Sequence, residues 1–205
     1  MNSFGFATIR DRVLEQSWVY RAWQAPFAEA KVRPLLRALD RTPVRRVLDV
    51  GCGPGTNARH FAAVEYVGVD INPDYIATAS RKFRGRFVVG DVQDERVFPD
   101  ERFDLVFANS LLHHLPDAAA DALLARMARL VSSEGSVHLL DLVLPQEASA
   151  ARWLALNDRG AYARSVPLWE TLFSKHCAAM RSEVYPLRLM GVPLWWMIHL
   201  AGVPK

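Results

Sequence analysis

The sequence predicts an α/β fold, a mostly parallel sheet with helices on both faces. Short apolar runs of strand length alternate with segments of helical period from about residue 46 onward, the pattern of strands joined by crossover helices. Three of these runs close on an acidic residue, Asp49, Asp70 and Asp91. The first also runs into alternating glycines, Gly51, Gly53 and Gly55, which mark a sharp turn from a strand into a helix.

That first stretch, residues 47–56, reads Val-Leu-Asp-Val-Gly-Cys-Gly-Pro-Gly-Thr. Glycines without Cβ atoms suit a backbone that takes positive φ or lies against a ligand. The helix that follows presents unpaired N–H groups at its start. Open α/β sheets bind ligands at the carboxyl ends of their strands, which is where Asp49 and this loop fall. A dinucleotide loop requires Gly-x-Gly-x-x-Gly or Ala, but here the third glycine arrives one residue early and Thr56 takes the sixth position. That spacing argues against a nicotinamide oxidoreductase.

The pattern Asp-x-Gly-x-Gly-x-Gly of residues 49–55 resembles the first motif of the class I S-adenosylmethionine-dependent methyltransferases of the small-molecule type. The resemblance implies a Rossmann-like fold of seven strands, six parallel and the last antiparallel. It implies S-adenosylmethionine as cofactor, with Gly51, Cys52, Gly53 and Gly55 forming its loop and Asp49 near its methionine amino end. Asp70 lies 19 residues after Gly51, the interval at which a Rossmann-like unit sets a carboxylate on ribose hydroxyls. Family precedent places Ile71 against adenine, Asp91 on its exocyclic amine and the Val92 amide on a ring nitrogen. The series of acidic strand ends matches the methyltransferase order rather than the nicotinamide one.

Composition bounds the rest. At 205 residues and 51% apolar content, the chain is expected to form one domain with a substantial core. We divide it into an N-terminal helical cap (1–42), a cofactor-binding core (43–145), a second helical cap (146–180) and a terminal strand pair (181–205). Two cysteines, Cys52 and Cys177, offer neither zinc spacing nor a disulfide framework, so no metal is expected. The start lacks the cationic and apolar regions of a signal peptide, and the cytoplasm is the default expectation. The net charge of +3 comes from scattered residues, densest at Arg81, Lys82, Arg84 and Arg86. Cations there suit a helix terminus, and no nucleic-acid partner is expected.

Taken in order, Ile9, Val13, Leu14 and Trp18, then Val32, Leu35, Leu36 and Leu39, fall at helical spacing broken by Pro26, predicting two or three amphipathic helices. The aromatic cluster Trp18, Tyr20, Trp23 and Phe27 lies between them. The first strand, 46–50, leads through the glycine loop to a helix over about 57–63. Strand 66–69 follows, then a helix begun by Asn72-Pro73-Asp74, with proline at a tolerated first-turn position. Strand 87–89 precedes Gly90-Asp91-Val92, and strand 103–108 runs into Asn109-Ser110-Leu111-Leu112-His113-His114-Leu115-Pro116-Asp117.

This last stretch resembles the fourth motif of the same family, and the resemblance adds Asn109 to the cofactor site. Nucleic-acid amino-methyltransferases carry Pro-Pro and an aromatic residue after that position, whereas Asn109 is followed by Ser110 and Leu111. Base methylation is argued against. Asp117 is placed to cap a helix with Leu123, Leu124, Met127, Leu130 and Val131 on its apolar face. Glu134-Gly135 then turns into strand 137–143, which contains Asp141. Residues 147–177 read as two helices broken near Pro167, and 181–189 with 194–201 as an antiparallel pair. The tail's apolar run is too short and interrupted for a membrane span, which takes about 20 residues.

The reaction implied is methyl transfer to a small acceptor. Trp18, Tyr20, Trp23, Trp153, Tyr162, Trp169 and Phe173 concentrate outside the cofactor motifs, which points to an aromatic or apolar acceptor enclosed by the two caps; the competing reading is that these rings fasten the caps to the sheet. His113, Asp141 and Tyr20 are the candidates for proton removal, although the His-His-Leu-Pro-Asp run also suits packing at a helix start. The other reading from these motifs is a non-catalytic protein that binds S-adenosylmethionine or S-adenosylhomocysteine.

Overall fold

The computed structural model describes residues 27–40, 42–157 and 160–205. Helix α1 (Ala28–Leu39) precedes β1 (Arg46–Val50), a 3-10 helix (Thr56–Phe61), β2 (Glu65–Asp70), α2 (Pro73–Lys82), β3 (Arg86–Val89) and β4 (Phe103–Asn109). A second 3-10 turn (Leu112–His114) leads to α3 (Asp117–Leu130), β5 (Val131–Val143), α4 (Ala150–Leu156), α5 (Val166–His176), β6 (Cys177–Leu189) and β7 (Val192–Pro204). No helix among the described residues is long and apolar enough to cross a membrane.

The strands form one seven-stranded sheet in the order β3-β2-β1-β4-β5-β7-β6. β1 to β5 pair in parallel; β7 runs antiparallel to both β5 and β6, so β6 points the same way as β1. Six strands therefore share a direction and β7 opposes them. Buried on both faces, β1 needs the nearly continuous apolar run Val47, Leu48, Val50 that its sequence shows. It pairs with β2 on one side and β4 on the other. The chain order reverses there, and the crevice of an open α/β sheet lies at such a point.

One face of the sheet packs Val47, Leu105, Phe107 and Leu140 against Val32 and Leu35 of α1. The other packs Leu48, Val50, Val67 and Val106 against Leu123, Leu124 and Met127 of α3 and Trp169 of α5. Each such side chain contributes about 1.5–3 kcal/mol on burial. Near the β6–β7 hairpin a third cluster joins Phe27, Leu142, Leu187, Trp195 and Met197 with Ala155 of α4.

Local details differ from expectation where tertiary contacts decide. The segment after the glycine loop is a 3-10 helix capped by Gly55 without a side-chain bond, and β2 follows at Glu65, leaving no room for longer α-helix. Asp117 is the first residue of α3 rather than its cap, which is Pro116; its carboxylate instead accepts from Arg164 Nε at 2.8 Å. The Glu134-Gly135 turn lies inside β5 as an irregularity, since Phe103 pairs with Val131 and Leu105 with Ser136. The terminal pair is longer than 181–189 and 194–201, reaching Cys177–Leu189 and Val192–Pro204.

Candidate functional site

The glycine loop is fastened to the end of β2. Gly51 and Cys52 both donate their amides to Val69 O, at 2.9 and 3.1 Å, and Gly53 donates to Asp70 Oδ2 at 2.9 Å. The three glycines have φ of 68°, 54° and 80°, yet each meets different surroundings. A Cβ on Gly51 would lie 2.7 Å from Leu111, and one on Gly55 would lie 2.8 Å from Ala79. A Cβ on Gly53 would meet nothing within 4 Å among the described residues. Gly51 and Gly55 are therefore required by packing, while Gly53 leaves its main chain open to a ligand.

A cleft of about 160 Å³ opens beside this loop, walled by Gly51, Asp70, Ile71, Asp91, Val92 and Leu111. Ile71 is 75% exposed, an apolar side chain standing at the rim of a slot, as a flat ring would need. Asp70 Oδ1 accepts from Asn72 N at 2.8 Å, so each of its oxygens is held by one backbone donor while the residue lines the cleft. Asn72 in turn caps α2 by accepting from Asp74 N at 2.9 Å. Asp91 is exposed and accepts from Gln93 N at 2.9 Å. The Val92 side chain is buried.

Asp49 lies deeper, fully buried. Its Oδ2 accepts from Tyr66 Oη at 2.5 Å and from Asn57 Nδ2 at 2.9 Å, and Oδ1 has no partner among the described residues. Burial pushes this carboxyl up to about 7, against the two hydrogen bonds that favour its charge. Asn109 Nδ2 donates to Asn57 Oδ1 at 3.4 Å and Asn109 Oδ1 accepts from Ser110 Oγ at 3.2 Å, so a polar chain runs beneath the loop. Cys52 is buried beneath Gly68, and burial raises its thiol well above the ordinary range. Its main chain alone is left to serve a ligand.

The acid–base candidates sit apart from the cleft wall. His113 Nδ1 is 2.6 Å from Asp141 Oδ1, and both residues are buried. Asp141 also accepts from Leu112 N at 2.8 Å and Leu142 N at 2.7 Å. Burial would raise this carboxyl, but the His113 ring and the two amides outweigh it and hold it below the usual range. Tyr20 lies outside the described residues, as do Trp18 and Trp23. Trp169 is fully buried with its Nε1 donating to Leu142 O at 2.9 Å, and Phe173 is buried with it. These two rings are core rather than pocket lining, whereas Trp153 and Tyr162 are 64% and 42% exposed.

Two arginines matter that none of the sequence motifs includes. Arg126 sits on the buried face of α3 and donates to Val92 O at 3.0 Å and Phe98 O at 3.1 Å, pinning the loop that carries Asp91. Its place three residues after Leu123, inside the apolar stripe, is the signal that sequence offers. Arg164, also buried, holds the carbonyls of Leu112 and Leu115 at 2.9 and 2.6 Å. Leu111 and Leu115, both on the cleft wall, carry no polar group for a motif to mark.

Residues 47–135, which contain the loop and all three acidic strand ends, match the family model described as a methyltransferase domain. Residues 47–135 are therefore similar to a methyltransferase domain of the class I, S-adenosylmethionine-dependent kind. A trans-aconitate 2-methyltransferase from Methylobacterium nodulans is 36% identical to it over 117 residues, 53% of this chain and 44% of that one. An Escherichia coli trans-aconitate 2-methyltransferase is 34% identical over 99 residues, 38% of its length. The chain thus spans less than half the length of these curated relatives. Among solved structures, a Pyrococcus horikoshii protein superposes with a TM-score of 0.68 at 19% identity, covering 86% of this chain and 89% of that one. The magnesium protoporphyrin IX methyltransferase of Synechocystis, solved with S-adenosylhomocysteine, gives 0.66 at 18% identity over 100% of this chain and 90% of its own. These superpositions place the methyltransferase domain in its fold.

Proposed function

We propose that the protein transfers the methyl group of S-adenosylmethionine to a small, apolar or aromatic acceptor. The observation that carries the reading is the open, left-handed Gly53 held by Asp70 beside the Ile71–Asp91 slot. When bound, the cofactor supplies a sulfonium methyl that is already activated for displacement. The chain's part is to hold and align. Asp70 offers its free lone pairs to ribose hydroxyls, Ile71 and Leu111 bracket adenine, and Asp91 with the Val92 amide takes the adenine edge. Asp49 Oδ1, which has no partner among the described residues, is assigned to the methionine side of the loop. Alignment of a nucleophile against the methyl group is worth up to about 7–11 kcal/mol, and the closed His113–Asp141 pair is not assigned the role of base.

The acceptor reading rests on the segment after β5. A hollow of about 580 Å³ lies at the end of that strand, walled by Val143, Val166, Val184 and Trp196 with Glu147 at its edge. Trp153 and Tyr162 stand exposed on the same segment. Pockets for apolar ligands have this make-up, mostly carbon with few polar groups. The segment lies beyond the 47–135 family match, and the acceptor class is read from this segment's own residues. In this reading 1–42 and 146–180 are caps on one functional unit completed by 43–145 and 181–205.

The test is incubation with methyl-labelled S-adenosylmethionine and a panel of aromatic acceptors, lipid-like acceptors and trans-aconitate, scored by product mass. Label in an aromatic or lipid-like product is the expected result. Label in trans-aconitate alone would replace the acceptor class. No label anywhere, with S-adenosylhomocysteine still bound in calorimetry, would leave a binding protein instead of an enzyme.

A further inference from the structure

We propose that Arg164 is a positioning residue for the cofactor cleft, fixing the 111–115 turn from the segment that follows β5; this rests on the reading that the cleft takes S-adenosylmethionine. Leu111 and Leu115 form part of the cleft wall, and Leu111 also fills the space beside Gly51. The turn that carries them begins at Ser110 with φ of 57°, a left-handed conformation that a non-glycine residue keeps only when its surroundings impose it. Those surroundings hold the turn from two sides. On one, β5 supplies Leu140 O to Ser110 N at 2.8 Å and Asp141 Oδ2 to Leu112 N at 2.8 Å.

On the other side stands Arg164. Its Nη1 donates to Leu112 O at 2.9 Å, its Nη2 to Leu115 O at 2.6 Å and its Nε to Asp117 Oδ1 at 2.8 Å. The guanidinium lies over the Trp169 ring, 4.7 Å from its centroid. The surrounding segment closes on the same turn. Tyr162 N donates to His113 O at 3.0 Å, and a Cβ on Gly160 would lie 2.0 Å from the His113 ring, so only glycine lets the two backbones approach so closely. Arg164 O meanwhile accepts from Leu144 N at 2.8 Å, which ties the segment to the end of β5.

Three divergent acceptors match the rigid fork of an arginine and not the single point of a lysine. Arg164→Lys should therefore loosen the turn and weaken cofactor binding through Leu111 and Leu115, which line the cleft that Arg164 itself does not line. Because binding linkage is reciprocal, cofactor should also tighten the 160–164 segment.

The experiment measures calorimetric Kd for S-adenosylhomocysteine and amide exchange in the full chain, at a temperature where circular dichroism shows every variant folded. Arg164→Lys should weaken binding roughly 2- to 30-fold and speed exchange at the His114 and Leu115 amides, which donate to Leu111 O and Leu112 O. In the wild type, S-adenosylhomocysteine should slow exchange at the Tyr162 amide. Leu130→Ala, a core deletion at the far end of α3, should lower Tm while leaving Kd and that exchange pattern unchanged, which separates positioning from general stability. If Arg164→Lys does not fold, Asp117→Ala removes only the exposed partner and should weaken binding in the same direction. Binding within twofold of wild type in Arg164→Lys, or in Asp117→Ala if that is the variant available, would overturn the proposal. Failure of the wild type to bind would overturn the cofactor reading and this proposal with it.

Discussion

The Asp70 carboxylate accepts the Gly53 amide at 2.9 Å, so one side chain at the end of β2 both shapes the glycine loop and faces the cleft. Its other oxygen accepts from Asn72 N at 2.8 Å. The Asp91 carboxylate, by contrast, holds only Gln93 N among the described residues, from an exposed position. We predict that Asp70→Ala and Asp91→Ala both weaken S-adenosylhomocysteine binding, but that Asp70→Ala alone destabilises the fold. Hydrogen bonds to a charged group contribute about 1.5–3 kcal/mol each. Chemical denaturation beside calorimetry separates the two effects. Equal destabilisation by both variants would contradict the fastening role, and unchanged affinity in both would remove the two carboxylates from the cofactor site.

Gly53 and Gly55 should fail in different ways when substituted. Both are left-handed, and a side chain there costs about 1–2 kcal/mol from conformation alone. At Gly55 the added Cβ also meets Ala79 at 2.8 Å and Phe87 at 3.1 Å, so Gly55→Ala should lose a further ~1–3 kcal/mol of stability through overpacking. At Gly53 the space is open among the described residues, so Gly53→Val should fold with modest loss yet abolish cofactor binding by filling the ligand's side of the loop. A folded Gly53→Val that binds S-adenosylhomocysteine normally would show that the loop does not touch the cofactor.

What sequence makes legible here is local. Val47, Leu48 and Val50 announce a strand buried on both faces, the Gly51–Gly55 alternation announces the turn, and Asn72-Pro73 announces the start of α2, because each signal is set by neighbouring residues. Arg126 and Arg164 are illegible for the opposite reason. Their acceptors are main-chain carbonyls, Val92, Phe98, Leu112 and Leu115, far away in the chain and without a side-chain signature. The rings of residues 147–177 show the same limit. Helical spacing groups Trp153 with Trp169 as apolar, but only packing against β5 and α3 decides that Trp169 is core while Trp153 faces outward.

That division gives a third prediction. Trp169→Ala should cost about 3–5 kcal/mol, the usual loss for a buried ring. Trp153→Ala should change stability by less than about 0.5 kcal/mol, as expected of a surface site, and should reduce acceptor turnover with cofactor affinity intact. Denaturation midpoints and steady-state kinetics with any acceptor found by labelling would check both. Should Trp153→Ala leave turnover unaltered, the exposed ring plays no part in acceptor binding.

The final prediction concerns acid. His138 and His199 face one another across β5 and β7 with Nδ1 and Nε2 3.0 Å apart, and Ser136 Oγ lies 3.0 Å from His138 Nε2. Both rings are buried, and His199 Nδ1 has no partner among the described residues. Burial, assisted by the neighbouring ring and Arg181, pushes His138 down to about 3, and burial with Arg181 and Arg37 pushes His199 down to about 4. An unfolded histidine takes its proton near 6.5. Between that pH and about 4 the unfolded chain therefore binds more protons than the folded one, and stability must fall as pH falls. Each histidine contributes a slope of up to about 1.4 kcal/mol per pH unit in this window. Asp49 opposes them, since its carboxyl is raised to about 7 and the folded state holds that proton while the unfolded state has released it. Two groups against one leaves a net loss of stability toward acid. Denaturation midpoints recorded from pH 7 to 4 should fall in the wild type and flatten or reverse in a His138→Gln, His199→Gln double variant. A wild-type midpoint that rises toward acid would show that the pair does not set the acid response of this fold.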